Sequence, residues 1–412
     1  MSAVGVVGST LVARALRPLN LYAAYQAIVD LDDRQVVAYE ALARWRDADL
    51  NPGAVFPAAA ASGQLAALDG ACRRAAIQGA LDAGMAKGQT LFINAEPATF
   101  GTDISEEPAA LLERATTELR IMIELTERSL LRNPSEVLRI VRWARAHGCG
   151  IALDDVGAEP DSLTILPFIA PDVIKLDISL VQEQPGVEQG RIMAAVLAHA
   201  EATGATILAE GIETLEHLEQ AQALGATLGQ GWYFGRPGRL SADPPCPSPI
   251  VLSGPTSPAP TPFSLVARSD RKRIGRKKVL LGMSRHLESL GHKDRDLVVL
   301  AAFQTAERFT DATKRRYEKL GLHCPLVGAL GIAMPTDPAL GVRGANLSQD
   351  DALAGEWAVV VVGSHYAGAL IARDCGDSGL EIDRRFEFLV SHARALVLDA
   401  ARSLLSRFIP LN

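Results

Sequence analysis

Between residues 20 and 240 the chain repeats one pattern: a short apolar run, a polar ending, then an amphipathic segment. The apolar runs are "AIVDL", "TLFINA", "RIMIELTE", "GIALDD", "DVIKLD" and "TILAEG". Among the segments between them are "PSEVLRIVRWARAHG" and "GRIMAAVLAHAEATG", each apolar at helical spacing and closed by Gly. Strands that alternate with helices pair in parallel, and the helices cover both faces of the sheet. So many repeats in about 220 residues predict an α/β fold in which the sheet closes into a (β/α)8 barrel. No sequence repeat accompanies the structural one.

The strand ends are unusually polar. "GIALDDVGAEP" sets Asp154 beside Asp155, a pair that alone would read as a solvated turn. Other runs end the same way. "VVAYEALAR" carries Glu40 and Arg44, "LFINAEP" Asn94, and "IMIELTE" Glu124 and Glu127. "VIKLD" carries Lys175 and Asp177, "ILAEGIE" Glu210 and Glu213, and "GQGWYFGRP" Gln230. In a barrel these ends converge on one face, the face on which such enzymes build their sites. Carboxylates gathered there without countercharge would be costly. Oxygen donors with no His or Cys among them suit hard divalent cations such as Mg²⁺ or Mn²⁺ better than zinc. Adjacent aspartates suit two ions, since one can bridge both while the other binds only one.

Length and composition allow two domains. The chain has 412 residues, of which 48% are hydrophobic and 22% charged. A net charge of −7 excludes a general nucleic-acid binder, so no nucleic acid polymer is expected as partner. Five scattered cysteines with no CxxC pair point to reduced thiols and a cytoplasmic protein. No apolar run is long enough for membrane insertion. Residues 1–19 read as a flexible leader or a short helix. Eight of the 23 prolines lie between Pro244 and Pro262, and residues 241–263 therefore read as an extended Pro-rich linker.

Residues 264–412 alternate again and predict a smaller α/β domain. Its elements are "DLVVLAAF", a charged helix "AERFTDATKRRYEKLG", "PLVGALGIA", "EWAVVVVGS", a helix from His365, "RFEFLVS" and a final helix "ALVLDAARSLLSRF". The basic run "RSDRKRIGRKK" at 268–278 reads as a solvated edge or helix start, because no aromatics interleave with its charges; polyanion contact is the alternative.

"YEALAR", "FINAEP", "IELTE", "IALDDVG", "PDVIKLD", "AEGIE" and "GQGWYFGRP", in that order, closely resemble the EAL domain family of cyclic di-GMP phosphodiesterases over residues 20–240. The resemblance implies a modified (β/α)8 barrel that hydrolyses cyclic di-GMP to linear pGpG with two Mg²⁺ or Mn²⁺ ions. It gives one ion to Glu40, Asn94, Glu124 and Asp154, with Asp154 bridging to a second ion bound by Asp155 and Glu210. It implies that Lys175 orients or activates the attacking water, with Gln230 and Asp177 in support, and that Glu210 belongs to the catalytic set as well. It makes Arg44 and Glu213 substrate-binding residues. Glu127 would hold the loop after the aspartates, which couples a homodimer through the barrel to metal binding. That loop departs from the family: "VGAEPDS" stands at 156–162 where a Gly-rich "FGTGYSS" is usual. The departure keeps a second reading open, a cyclic di-GMP receptor or partner-binding barrel that no longer hydrolyses.

"GVRGANLSQDDALAGEWAVVVVGSHYAGALIARD" is similar to the DICT domain, a sensory module of bacterial signalling proteins. The combination implies a signalling enzyme regulated by its C-terminal part.

Overall fold

The computed structural model describes residues 10–85, 88–99, 106–126, 134–158, 166–240, 250–254, 260–292, 297–363, 365–377 and 380–408. The chain divides into two compact units.

The first unit is built on a closed barrel of eight strands. In chain order the elements up to the last barrel strand are α1 (10–15), β1 (Leu21–Asp30), β2 (Val36–Trp45), α2 (Pro52–Ala61), α3 (Leu65–Asp82), β3 (Thr90–Asn94), α4 (Glu106–Glu118), β4 (Arg120–Thr126), α5 (Pro134–Ala146), β5 (Gly150–Val156), α6 (Leu166–Ile169), β6 (Val173–Leu176), α7 (Ile178–Gln182), α8 (Val187–Thr203), β7 (Thr206–Ala209), α9 (Leu215–Ala223) and β8 (Leu228–Gly229); of these, α6 and the start of α5, up to Arg139, group with the second unit. Strand β1 runs antiparallel to both of its neighbours, β2 and β8. Every other pairing is parallel. The barrel is therefore a modified (β/α)8 form. Two helices end as their glycines require: Gly148 and Gly204 follow α5 and α8 with φ of 74° and 79°, a left-handed conformation that glycine adopts without strain.

The barrel's core is one apolar layer to which each strand contributes. Ile28, Ala38, Phe92, Met122, Ala152, Val173, Leu208 and Leu228 form it, one from each strand in turn. Ile250 joins this layer, with Leu252 packed against it. Asp172, just before β6, fixes the segment: its carboxylate accepts from Ser253 N at 2.6 Å and from Ile151 N at 2.8 Å. The Pro-rich stretch read as an extended linker thus includes residues that finish the barrel, at the end where the strands begin.

Residues 10–15 decide between the two forms expected of the first residues. They form a short helix, the second of those forms. Val12 and Ala15 are fully buried against Trp45, Val55 and Leu68, and the Trp45 indole donates to Ala15 O at 3.1 Å.

The second unit is a seven-stranded mixed sheet. Its elements are α10 (Pro262–Val266), β9 (Arg273–Arg276), α11 (Lys277–Leu290), β10 (Val298–Thr305), α12 (Asp311–Gly321), β11 (Leu326–Ile332), β12 (Arg343–Leu347), β13 (Glu356–Val362), β14 (Ala367–Asp374), β15 (Arg385–Ser391) and α13 (Arg394–Leu405). The strand order is β12-β11-β10-β13-β14-β15-β9. Val298, Leu300 and Ala302 face α13, whereas Val299, Ala301 and Phe303 face α11 and α12. Both faces are covered, so the central strands are apolar without alternation.

The helix expected from His365 is instead strand β14. "AGALIARD" has good helix formers, but it pairs with β13 from Glu356↔Arg373 to Val362↔Ala367 and is buried on both faces. Tertiary pairing overrides the local propensity. The basic run supplies the sheet's edge strand β9 and the start of α11, a charged edge that discourages pairing with other chains.

Candidate active site

Side chains two residues apart on a strand share a face. Counting two positions on from the core layer along β2 to β8 gives Glu40, Asn94, Glu124, Asp154, Lys175, Glu210 and Gln230, the last two just past the ends of their strands. Strand β1 runs the other way, so counting two back from Ile28 gives Gln26, which lies opposite Glu40 in the register. The strand-end residues read from the sequence are thus a second layer stacked on the first. All point into the barrel for the same reason that the core residues do.

Lys175 sits at the centre and is 1% exposed. Its Nζ lies 2.6 Å from Glu124 Oε1, 2.7 Å from Glu210 Oε1, 2.9 Å from Asp154 Oδ1 and 3.6 Å from Glu40 Oε2. Burial alone would lower its pKa, but the four carboxylates hold it well above the usual lysine value. Glu124 is pushed far up by burial and then by the Glu40 charge. Burial likewise raises Glu210, to about 8. One ammonium cannot balance four ionised carboxylates: burial and mutual repulsion favour the protonated forms of Glu124 and Glu210, and a further cation would let all four ionise together.

The polar groups around the cluster are ordered. Gln230 Nε2 donates to Glu40 Oε2 at 2.7 Å and to Gln26 Oε1 at 3.1 Å. Asn94 Nδ2 donates to Glu40 Oε1 at 3.3 Å. Gln230 itself is fixed by backbone bonds, donating to Ala209 O at 2.9 Å and accepting from Ile212 N at 3.0 Å. Asp154, Asp155 and Glu210 bring one carboxylate oxygen each within 4.8 Å of one another. Asp155 reaches this position with φ of 58°, a left-handed backbone that Asp tolerates at some cost.

The donor set fits divalent cations. All of its ligand atoms are oxygens. Glu124 Oε2 and Gln230 Oε1 are buried with no hydrogen-bond donor among the described residues, and buried acceptors of this kind ordinarily find a partner.

Other expected residues stand apart from the cluster. Arg44 lies farther along the same face of β2, half-buried, and donates to Ala43 O at 2.9 Å. It lines a cavity of about 290 Å³ that also reaches Asn94 and Thr126. Asp177 caps α7, accepting from Ser179 N at 2.9 Å and Ser179 Oγ at 2.5 Å. Glu213 is exposed, its backbone N–H donating to His217 Nδ1 at 3.3 Å. Glu127 lies outside the described residues.

Sequence reasoning missed two features. Gln26 escaped because its strand runs antiparallel, so the polar residue precedes its core neighbour. Asp69 and Arg73 of α3 escaped because their spacing reads as an ordinary surface pair. Asp69 is buried and also accepts from Thr99 Oγ1 at 2.5 Å and Glu96 N at 3.3 Å. Both line the cavity beside Arg44.

The family model of the EAL domain matches residues 11–237. A second, described as a sensory domain in diguanylate cyclases and two-component systems (DICT), matches residues 266–374. Cyclic di-GMP phosphodiesterase NbdA of Pseudomonas aeruginosa is 29% identical over 237 residues, covering 56% of this chain and 30% of that protein. Cyclic di-GMP phosphodiesterase RocR of the same organism is 33% identical over 150 residues, covering 36% of this chain and 38% of that protein. The chain thus spans about a third of the length of these relatives. Among solved structures, the EAL enzyme Bd1971 in its cAMP- and cyclic-di-GMP-bound form shares the fold with a TM-score of 0.50 and 21% identity, over 57% of this chain and 66% of that one. With a family model matched over more than half of its length, on a barrel of this architecture, the chain belongs to the EAL domain family.

Proposed function

We propose that the barrel hydrolyses cyclic di-GMP to linear pGpG with two Mg²⁺ or Mn²⁺ ions per site. One observation carries the reading: every strand sends a polar side chain into a single layer, and that layer holds more carboxylate than Lys175 can neutralise. Glu40, Asn94, Glu124 and Asp154 would hold one ion, and Asp154, Asp155 and Glu210 the other. Bound there, the ions would supply positive charge to the phosphate and a lowered pKa to water.

The chain's own groups do the rest. Lys175 presents an ammonium to the attacking water and keeps the carboxylates from repelling one another. Glu210 shares the catalytic work, and Gln230 holds Glu40 in place. Arg44 receives a substrate phosphate, with the cavity beside it taking the adjoining part of the nucleotide; Glu213 borders the substrate from the loop after β7. Asp177 supports Lys175 indirectly, by fixing the turn that follows β6. In the reaction, water attacks one phosphodiester phosphorus in line and the bond from phosphorus to the 3′ oxygen breaks. That oxygen leaves with a proton as the 3′ hydroxyl.

The proposal extends to a homodimer through the barrel, a cytoplasmic location and regulation by the C-terminal unit. Among the described residues no helix is long and apolar enough to cross a membrane. One observation favours a receptor instead, the altered sequence "VGAEPDS" after the aspartates. The test is incubation of the purified chain with cyclic di-GMP in Mn²⁺ and in EDTA. Linear pGpG should form only with the metal, and Glu40→Ala should slow it by at least ~10²-fold.

A further inference from the structure

The face of the C-terminal sheet covered by α11 and α12 contains a cavity of about 310 Å³. That lies at the small end of ligand pockets, roughly 300–1,000 Å³, and suits a molecule built on a single ring system. Phe303 of β10, Trp357 of β13 and Phe386 of β15 form one wall. Trp357 and Phe386 meet edge to face, with centroids 5.6 Å apart and planes 74° to one another, and so form a rigid apolar corner.

The lining is also cationic. Lys277, Arg285, Arg308 and Arg316 line the cavity against two carboxylates, Glu288 and Glu381. Both carboxylates already have partners within the unit. Glu288 accepts from Ser284 Oγ at 3.0 Å, Arg316 Nε at 3.0 Å and Tyr317 Oη at 3.3 Å. Glu381 accepts from Arg384 Nη1 at 3.0 and 3.1 Å, pairs with Lys277, and lies 3.8 Å from Arg308 Nη1, a longer pair that an incoming anion would compete with. The surplus charge is positive. Arg285 is exposed at the rim and has no hydrogen bond or ion pair among the described residues.

Arg308 is aimed by a strained element. It donates to Gln304 Oε1, which also accepts from Arg384 Nη2 at 3.4 Å. Gln304 is buried, donates from Nε2 to Gly355 O at 3.1 Å and has φ of 66°. It stands where the pairing of β10 with β11 shifts register, between Ala302 and Thr305. Bulges re-aim side chains beside functional sites, and left-handed non-glycine residues persist only where their surroundings hold them.

We propose that this cavity binds a small planar organic anion, a ring bearing a carboxylate or a phosphate ester. The ring would pack against Phe303, Trp357 and Phe386, and the acid group would sit on Arg308 and Arg285, whose planar guanidinium groups match either acid. This gives the sensory reading of the C-terminal unit a site and a ligand class, and only its regulatory meaning rests on that reading.

The test is calorimetric titration of the whole chain with indole-3-acetate and with phenyl phosphate, which separate the two acid classes. Indole-3-ethanol and inorganic phosphate supply the ring and the charge alone. At least one ring-bearing anion should saturate the protein with a Kd below about 1 mM, and both controls should bind about 10-fold more weakly or worse. Arg308→Glu and Arg285→Glu should each weaken binding by about 10-fold or more, while Arg268→Glu, the same charge change away from the cavity, should not. The proposal is overturned if neither anion saturates by about 10 mM, if indole-3-ethanol binds as tightly as indole-3-acetate, or if binding survives both cavity variants. Should Arg308→Glu fail to fold, the exposed Arg285 decides. Binding is read directly, so a barrel inactive on cyclic di-GMP would leave this result standing.

Discussion

Replacing Lys175 by Met would leave Glu40, Glu124, Asp154 and Glu210 facing one another without their shared ammonium. Breaking a buried charge network by removing one partner costs about 3–5 kcal/mol, and Lys175→Met should lose that much in EDTA by urea denaturation. Mn²⁺ should then stabilise the variant more than the wild type, since the ions would take over the neutralisation; equal stability in EDTA would mean that Lys175 balances no charge in the layer. Asp155 poses the opposite trade. With φ of 58°, Asp155→Gly should gain up to about 1 kcal/mol by relieving the backbone, while calorimetry should find Mn²⁺ bound about 10-fold more weakly. A variant that binds Mn²⁺ as the wild type does would remove Asp155 from the metal site.

At the scale of elements, the strand ends position the chemistry, and Gly231 shows how tightly. A Cβ there would lie 2.0 Å from Ile212 O and 2.4 Å from Ile212 N, backbone atoms that cannot swing aside. Ile212 N is itself the donor of the bond that fixes Gln230, and Ile212 O accepts from Tyr233 N. Gly231→Ala should therefore cost about 1–3 kcal/mol or more and lower turnover by loosening Gln230 from Glu40. Gly254→Ala, with open space around its Cβ position, should change neither by denaturation or assay. Much of this layer was legible in the sequence, because a period of two along apolar runs assigns Glu40, Glu124, Asp154 and Lys175 to one face. Gln26 was not legible, since nothing local announces that β1 runs antiparallel. Nor was β14, whose residues favour a helix until β13 and β15 pair with it on either side.

At the scale of the whole molecule, the barrel is closed at one end by residues that follow its last strand. Ile250 is buried within the apolar layer beneath the site. Ile250→Ala should cost about 2–5 kcal/mol of stability by denaturant unfolding, whereas an unchanged midpoint would reduce residues 250–254 to a tether. The layer above, read as a hydrolytic centre, must turn cyclic di-GMP over and not only bind it. The most direct measurement compares turnover and binding of cyclic di-GMP, in Mn²⁺, for the wild type and Asp154→Asn. The wild type should release linear pGpG, and the variant should lose at least ~10²-fold in kcat while still binding cyclic di-GMP within a few-fold. A wild type that binds cyclic di-GMP and releases no product, or an Asp154→Asn chain that turns over at the wild-type rate, would contradict the account.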